Sequence, residues 1–538
     1  MWCRKVLAGL TDGLGFWDIG RFELSVYELV PSVERLNCLS FIIDEDMATR
    51  DKVNWRMERA QEDPANPLIE PFYPWDNGAV FTHGSVLRDP IDGLWKAWYI
   101  STSTDTEHFE NARCLTYATS EDGVNWTRPE LDLCPRPGHP RTNILFDWDS
   151  GGISMYANVL IHPDAEPDRR YEMYCMRGPG RPEGEGADFV RGIEPRPGEK
   201  SHPFGTYRYF SSDGINWTAQ EGPLMKTQTV GLRMTTPYND PNGGADQASY
   251  YTNEELGIDD GGYTLYQKIG EVMHPGGLIP HDCFPWGRRV IARRTSPDGS
   301  VWSNPEVIIQ PDWRDPHDQQ FMELAPKKVD SGLIGLLSCY NVREHTIDWQ
   351  LAGSVDGGRI WSRVSRQPTL PVAPMGDYGG GMLWPTRELV EHDGRVYMYY
   401  CGTEGIHGDT TYAAGPNIYP FYGAIGRASW EVDRYWAVVS GAGGPDAGSF
   451  TTHPQAVGGK QLVLNAATST VAEGELTAEL IDADGNALPG FSRDDYQPWH
   501  GDSKAQVARW AGGDTAPRDN VAVRFSIQRS RLYGFAWR

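Results

Sequence analysis

Four near-copies of one short phrase, Ser-x-Asp-Gly followed by a tryptophan, constrain this chain more than any other feature. They read Ser120-Glu121-Asp122-Gly123-Val124-Asn125-Trp126, Ser211-Ser212-Asp213-Gly214-Ile215-Asn216-Trp217, Ser296-Pro297-Asp298-Gly299-Ser300-Val301-Trp302 and Ser354-Val355-Asp356-Gly357-Gly358-Arg359-Ile360-Trp361. Each is a hairpin in miniature. Asp-Gly supplies the positive-φ turn, the Ser and Asp oxygens cap backbone donors inside it, and the Trp opens the return strand and packs beneath. Four unrelated surface hairpins could share such a phrase. Repetition of the surrounding strands would instead predict a fold built from one repeated sheet.

The strands do repeat. An aromatic or aliphatic run precedes each turn: Leu94–Tyr99, Arg170–Tyr174, Gly262–Tyr266 and Leu333–Leu337, with a fifth at Arg395–Tyr400. Behind the fifth, Arg427–Trp436 reads as a degenerate copy of the turn region. Helical periodicity is scarce, and 60 Gly and 39 Pro suit many short strands joined by tight turns. The expected fold class is all-β: a five-bladed β-propeller followed by a small C-terminal antiparallel β-sandwich. The turns recur every 60 to 90 residues or so, more than a minimal four-stranded blade needs, which predicts long loops on a rigid scaffold.

The expected divisions are an N-terminal extension over 1–55, the propeller over 56–440 and the sandwich over 441–538. The break follows from Gly441-Ala442-Gly443-Gly444-Pro445, after which Gln461–Asn465, Glu475–Ile481 and Val521–Ile527 alternate as strands. The first 46 residues fit neither pattern, and Met47 is a candidate for the true start, with the upstream part a gene-start artefact.

With 73 acidic against 49 basic residues the formal net charge is −24, which excludes nucleic acid and anionic membrane as natural partners. A neutral carbohydrate suits it, and a homo-oligomer stays open. The eight cysteines are far apart without metal-type spacing, so reduced, buried thiols are expected. No apolar run approaches the ~20 residues of a membrane helix, and the start lacks a signal-peptide pattern. The expected location is cytoplasmic.

In a propeller the innermost strands line a central channel, and polar residues opening each blade converge at one end of it. The openings are Tyr73–Gly78, Asn143–Gly151, Asn239–Gln247, Trp313–Phe321 and Gly376–Trp384, each with at least one carboxylate. Acidic residues are equally ordinary as turn and cap residues. Pro280-His281-Asp282, Pro316-His317-Asp318 and Glu404-Gly405-Ile406-His407 place histidine near a carboxylate, which suits hydroxyl binding, proton transfer or metal ligation. No compact metal motif or cofactor loop appears, so neither metal nor cofactor is expected. Gly-x-Ser-x-Gly, phosphate-loop and dinucleotide fingerprints are missing too.

Two carboxylates across a pocket are the apparatus of glycoside hydrolysis, one protonating the leaving oxygen and the other attacking carbon or activating water. Trp75, Trp148, Trp313 and Trp384, close to the openings, would offer flat faces to sugar rings. On the turn phrases, the five aromatic strands and the trailing sandwich, residues 60–538 resemble the five-bladed furanosidase-type glycoside hydrolases. That group includes arabinanases, xylosidases, fructofuranosidases and less characterised bacterial proteins. The resemblance implies cleavage of a neutral, furanose-containing glycan. It puts a nucleophile or base on Asp76, an acid on Asp246 or Glu404 in place of the group's usual third-blade Glu, and an orienting carboxylate on Asp318. Trp75, Asn77, Asp149, His281, Asp282, Arg314, His317, Trp384 and His407 would bind substrate. Arg314-Asp315-Pro316 matches a triplet of that group, though in the fourth unit, whereas Arg88-Asp89-Pro90 lies in a turn and reads as structural.

Three alternatives stand beside this reading. One is a non-catalytic glycan-binding propeller. Another is a sialidase-like enzyme, because the 354–361 phrase has full Asp-box spacing. The third is a phosphorylase drawing on Arg288, Arg289, Arg293 and Arg294.

Overall fold

Strands buried along their whole length, rather than at alternate residues, need cover on both faces. All eight residues of Trp95–Thr102 are buried, and so are all but the end residues of Gly332–Asn341. A computed structural model of the chain satisfies that demand by stacking antiparallel sheets against one another. It describes residues 35–76, 78–102, 113–147, 155–176, 181–183, 201–203, 205–226, 246–258, 260–272, 287–407, 422–441, 447–469 and 473–538. Among them the fold is all-β; its helical content is three short 3-10 turns, and no helix is long and apolar enough to cross a membrane.

Five antiparallel units follow one another. Unit one is Ala79–Arg88, Trp95–Thr102, Arg113–Ser120 and Ile144–Phe146. Unit two is Met155–Ile161, Tyr171–Met176, Gly205–Ser211 and Trp217–Ala219. Unit three is Asp246–Thr252, Tyr263–Val272, Gly287–Ser296 and Glu306–Ile309. Unit four is Gln319–Val329, Gly332–Asn341 and Thr346–Ser354, with Ser362 and Leu370 bridging its outer edge. Unit five is Met382–His392, Arg395–Thr403 and Gly423–Glu431, and its outer strand is Gln61–Glu62, from before unit one.

The units meet in a cycle. The first strands of units one to five touch in order, and the first strand of unit five touches that of unit one. An apolar cluster fills each junction. Trp98 meets Tyr171 between units one and two, and Tyr174 meets Tyr250 between two and three. Tyr266 meets Trp361 between three and four, Trp349 meets Tyr400 between four and five, and Tyr399 meets Trp95 between five and one. Single parallel bridges, Ile347 to Met382 and Gly423 to Ala79, tie units four, five and one into an eleven-stranded sheet. Among the described residues no sheet closes on itself by hydrogen bonds.

The repeated turn phrase has a second job at these junctions. In the first copy Gly123 N donates to Ser120 Oγ (2.9 Å), and Val124 N and Asn125 N donate to Asp122 Oδ1 (both 2.8 Å). Those amides hold the Asp122 carboxyl far below the usual carboxylate range. Each turn then docks on the unit before it. Trp98 Nε1 donates to Gly214 O (2.7 Å), Tyr174 Oη to Gly299 O (3.1 Å) and Tyr399 Oη to Gly123 O (2.7 Å). The turn of unit one thus docks on unit five.

Two further sheets complete the molecule. One runs Met47–Asp51, Gly448–Thr452, Ala522–Gln528 and Glu475–Ile481; the other runs Val53–Met57, Trp436–Ser440, Arg531–Trp537, Leu462–Thr468 and Gly501–Val507. Phe450, Phe525 and Phe535 pack in the core they share. Residues 36–57, which the sequence sets apart as an extension, therefore supply a strand to each sheet. Just ahead of those strands, Phe41 and Ile42 are fully buried, and Ile42 O accepts from both Trp55 Nε1 (3.0 Å) and Trp436 Nε1 (2.8 Å). The described cysteines, Cys38, Cys114, Cys134, Cys175, Cys339 and Cys401, are buried.

Candidate functional site

The first strand of every unit carries a break in pairing near its start: Phe81 to Ser85, Met155 to Asn158, Asp246 to Ala248, Phe321 to Leu324 and Pro385 to Leu389. A bulge bends the strand and re-aims the extra side chains. Because these five strands touch in a ring, their bulges bring residues remote in sequence together. Ser85 Oγ donates to Ala157 O (3.2 Å), Asn158 Nδ2 to Ala248 O (2.9 Å) and Thr82 Oγ1 to Trp384 O.

Arg387 crosses the middle. From unit five its guanidinium donates to Val159 O of unit two (Nη2, 3.1 Å) and to Tyr250 O of unit three, neither of them a neighbouring unit. Beside it, Glu388 is ion-paired with Arg387. Burial pushes the Glu388 carboxyl up to about 8, with the nearby Arg387 pulling the other way. A carboxylic acid that keeps its proton at neutral pH can act as a general acid.

A wall of rings stands near this pair. His83 stacks on Phe81 (5.6 Å, 8°) and meets Trp384 edge-on (5.0 Å). Trp384 reaches His407 (5.7 Å), and His407 reaches Tyr340 (4.8 Å). Tyr340 Oη shares a 2.8 Å hydrogen bond with His345 Nδ1, and the Arg289 guanidinium lies 5.5 Å over its ring while also bonding Gln320 Oε1 (3.1 Å). Units one, three, four and five all contribute. Trp384 Nε1 is buried with no acceptor among the described residues. Flat faces interleaved with imidazole and guanidinium donors suit a small hydroxyl-rich ligand.

Of the residues singled out from sequence, Trp384 and His407 belong to this wall. Asp76 is fully buried: Oδ2 pairs with Arg128 Nη1 (3.0 Å), and Oδ1 accepts from Phe72 N (2.9 Å). Burial raises its carboxyl to about 6 against the pull of Arg128. Trp75 stacks on Tyr73 (4.5 Å) and donates to Asn143 Oδ1 (3.0 Å) inside unit one. Asp318 caps a turn by accepting from Arg343 N (2.9 Å). Arg314 and His317 are exposed, and Glu404 is half-buried where its N–H donates to Tyr422 O (3.1 Å). Asn77, Asp149, His281 and Asp282 lie outside the described residues, as does Arg288 beyond its backbone. Asp246 opens the first strand of unit three, with its side chain likewise outside them.

The two Arg-Asp-Pro triplets are structural clamps. Asp89 is buried against Lys96 Nζ (2.5 Å) and the Tyr171 hydroxyl, and Asp315 is gripped by Arg363 and Arg366. Arg293 and Arg294 bond Thr264 Oγ1 (3.5 Å) and Ser303 O (3.3 Å). Sequence reading missed His83, Tyr340, His345, Arg387 and Glu388. One signal was there: Pro385 inside a strand marks a bulge, and the next residues but one are Arg387 and Glu388.

No protein-family model matches the chain, and no curated relative does. Solved structures do. Among them are a glycosyl hydrolase from Bacteroides ovatus (15% identity, TM-score 0.42, covering 72% of this chain and 98% of that one) and a β-1,2-mannobiose phosphorylase from Listeria innocua (13%, 0.42, 70% and 98%). A third is an N-acetylgalactosamine deacetylase from F. plautii (17%, 0.42, 69% and 95%). At these identities and TM-scores the likenesses decide nothing about what this chain binds or cleaves.

Proposed function

We propose that the five units form a five-bladed β-propeller and that its axis holds the active site of a glycosidase. The cyclic contacts of the first strands and the turn of unit one docked on unit five support the propeller. One observation carries the chemistry: Glu388, on an axial bulge near the aromatic–histidine wall, is a buried carboxyl raised to about 8. Glu388 donates the proton to the leaving oxygen, and Trp384, Tyr340, His83 and His407 seat the sugar. Arg387 holds Glu388 in place and offsets charge as the proton leaves. The second carboxylate comes from Glu323 or Asp246, the other acidic residues at first-strand bulges. A neutral, furanose-containing glycan is the substrate class that the sequence resemblance implies.

The test is turnover of a panel of aryl glycosides and oligosaccharides by Glu388→Gln. Loss of a general acid should cost about 10²- to 10⁴-fold in kcat with folding intact, and unchanged turnover removes Glu388 from the mechanism. The ion-paired states of Glu388 with Arg387 and Asp76 with Arg128 favour a second reading, glycan binding without turnover. Calorimetric binding with no product after days, across pH 4 to 9 or so, would establish that reading instead.

A further inference from the structure

Away from the axis, an open cleft of about 650 Å³ lies where the edge of unit five meets the C-terminal sheet that holds Leu462–Thr468, Gly501–Val507 and Arg531–Trp537. Its size falls in the range of small-ligand sites. In a chain of net charge −24, this cleft is basic. Arg59, Arg395, Arg434, Arg529 and Arg531 line it, against the carboxylates of Glu58, Glu431 and Asp502.

Those carboxylates are already used. Arg531 Nη1 pairs with Glu58 (3.1 Å), and Arg434 pairs with Asp502 and, at 3.7 Å, with Glu431. Arg529 pairs with Glu473 (2.7 Å). Two guanidinium groups are left without an acidic partner. Arg395 bonds only neutral oxygens among the described residues, Gln61 Oε1 (2.9 Å) and Ser429 Oγ (2.9 Å). Arg59 has no hydrogen-bond or ion-pair partner among the described residues and is exposed. It lies two residues from Gln61 on the same extended segment, so both cations face one cleft. Planar guanidinium forks match the paired oxygens of a carboxylate or phosphate.

We propose that this cleft is a second ligand site, distinct from the axis, that binds an acidic saccharide through its oxyanion at Arg59 and Arg395. The saccharide part rests on the carbohydrate reading above, and the oxyanion part does not. The probes are trigalacturonate, its neutral methyl ester and inorganic phosphate, titrated calorimetrically into the full chain and into Arg59→Glu and Arg395→Gln.

Trigalacturonate should bind the native chain, lose at least about tenfold in affinity in Arg59→Glu, and weaken between about 0.05 and 0.3 M salt. The methyl ester should not bind. Unfolding midpoints check that both variants fold. No binding to the native chain, affinity unchanged from the native chain in both variants, or equal affinity for the ester would each overturn the site. Phosphate binding as tightly as trigalacturonate would overturn the saccharide and leave a simple oxyanion site. Repeating the titration in Glu388→Gln, and turnover in Arg59→Glu, separates this site from the axial one: both should be unchanged.

Discussion

Glu388 and Asp76 are buried carboxyls raised above their ordinary values of 4.5 and 3.8, to about 8 and about 6. Between the ordinary and the raised value the folded chain holds a proton that the unfolded chain has released. Stability therefore falls as pH climbs through that window, and levels off above it. For Glu388 the window is 4.5 to about 8. Glu388→Gln should flatten the decline of the urea midpoint between about pH 5 and 8; an unaltered slope would mean that the carboxyl is ionised in the fold. If Glu388 is the acid, the rate should also fall as pH rises through about 8. Removing the acidic partner of Arg128 leaves a mostly buried guanidinium unpaired, so Asp76→Ala should cost about 3 kcal/mol or more in urea unfolding. A loss under about 0.5 kcal/mol would mean the pair is exchanged readily for water.

At the scale of single elements, the turn phrase serves folding twice, closing a hairpin and seating it on the preceding unit. Gly358 shows the difference. It has φ of 81°, and a Cβ there would collide with the Tyr266 hydroxyl of unit three. Gly376 has φ of 91° with open space around it. Gly376→Ala should thus cost only about 1 kcal/mol of backbone strain, whereas Gly358→Ala should cost clearly more, read as a lower urea midpoint. Equal costs would reduce the turn to its local role. The turns and the second strands were legible in the sequence because their signals are local: Asp-Gly flanked by Ser and Trp, and aromatic runs of five or six residues. The first-strand bulges were not. A bulge is a mismatch between two strands, and only Pro385 betrays one in the sequence. Of the candidate site, only Trp384 and His407 were therefore legible, while His83, Arg387 and Glu388 became visible once five strands had been brought together.

At the scale of the whole molecule, both long-range closures run through the N-terminal segment. Gln61–Glu62 completes unit five, and Met47–Asp51 and Val53–Met57 complete the two C-terminal sheets. Sequence periodicity cannot reveal such partners, since Val53 pairs with Ser440 and Met47 with Thr452. A chain beginning at Met47 would lack Phe41, Ile42 and Ile43 from the core, and should lose several kcal/mol in urea unfolding relative to one that retains them. An unchanged midpoint would show those residues to be dispensable.

The same closure has a consequence during biosynthesis. Strands 47–57 leave the ribosome nearly 400 residues before the last strands they pair with, which at 5 to 20 residues per second is roughly 20 to 80 s of translation. Through that interval the nascent chain presents bare strand edges that any passing copy could adopt. These early strands thus wait on partners made long after them, and crowded polysomes should be where this chain aggregates.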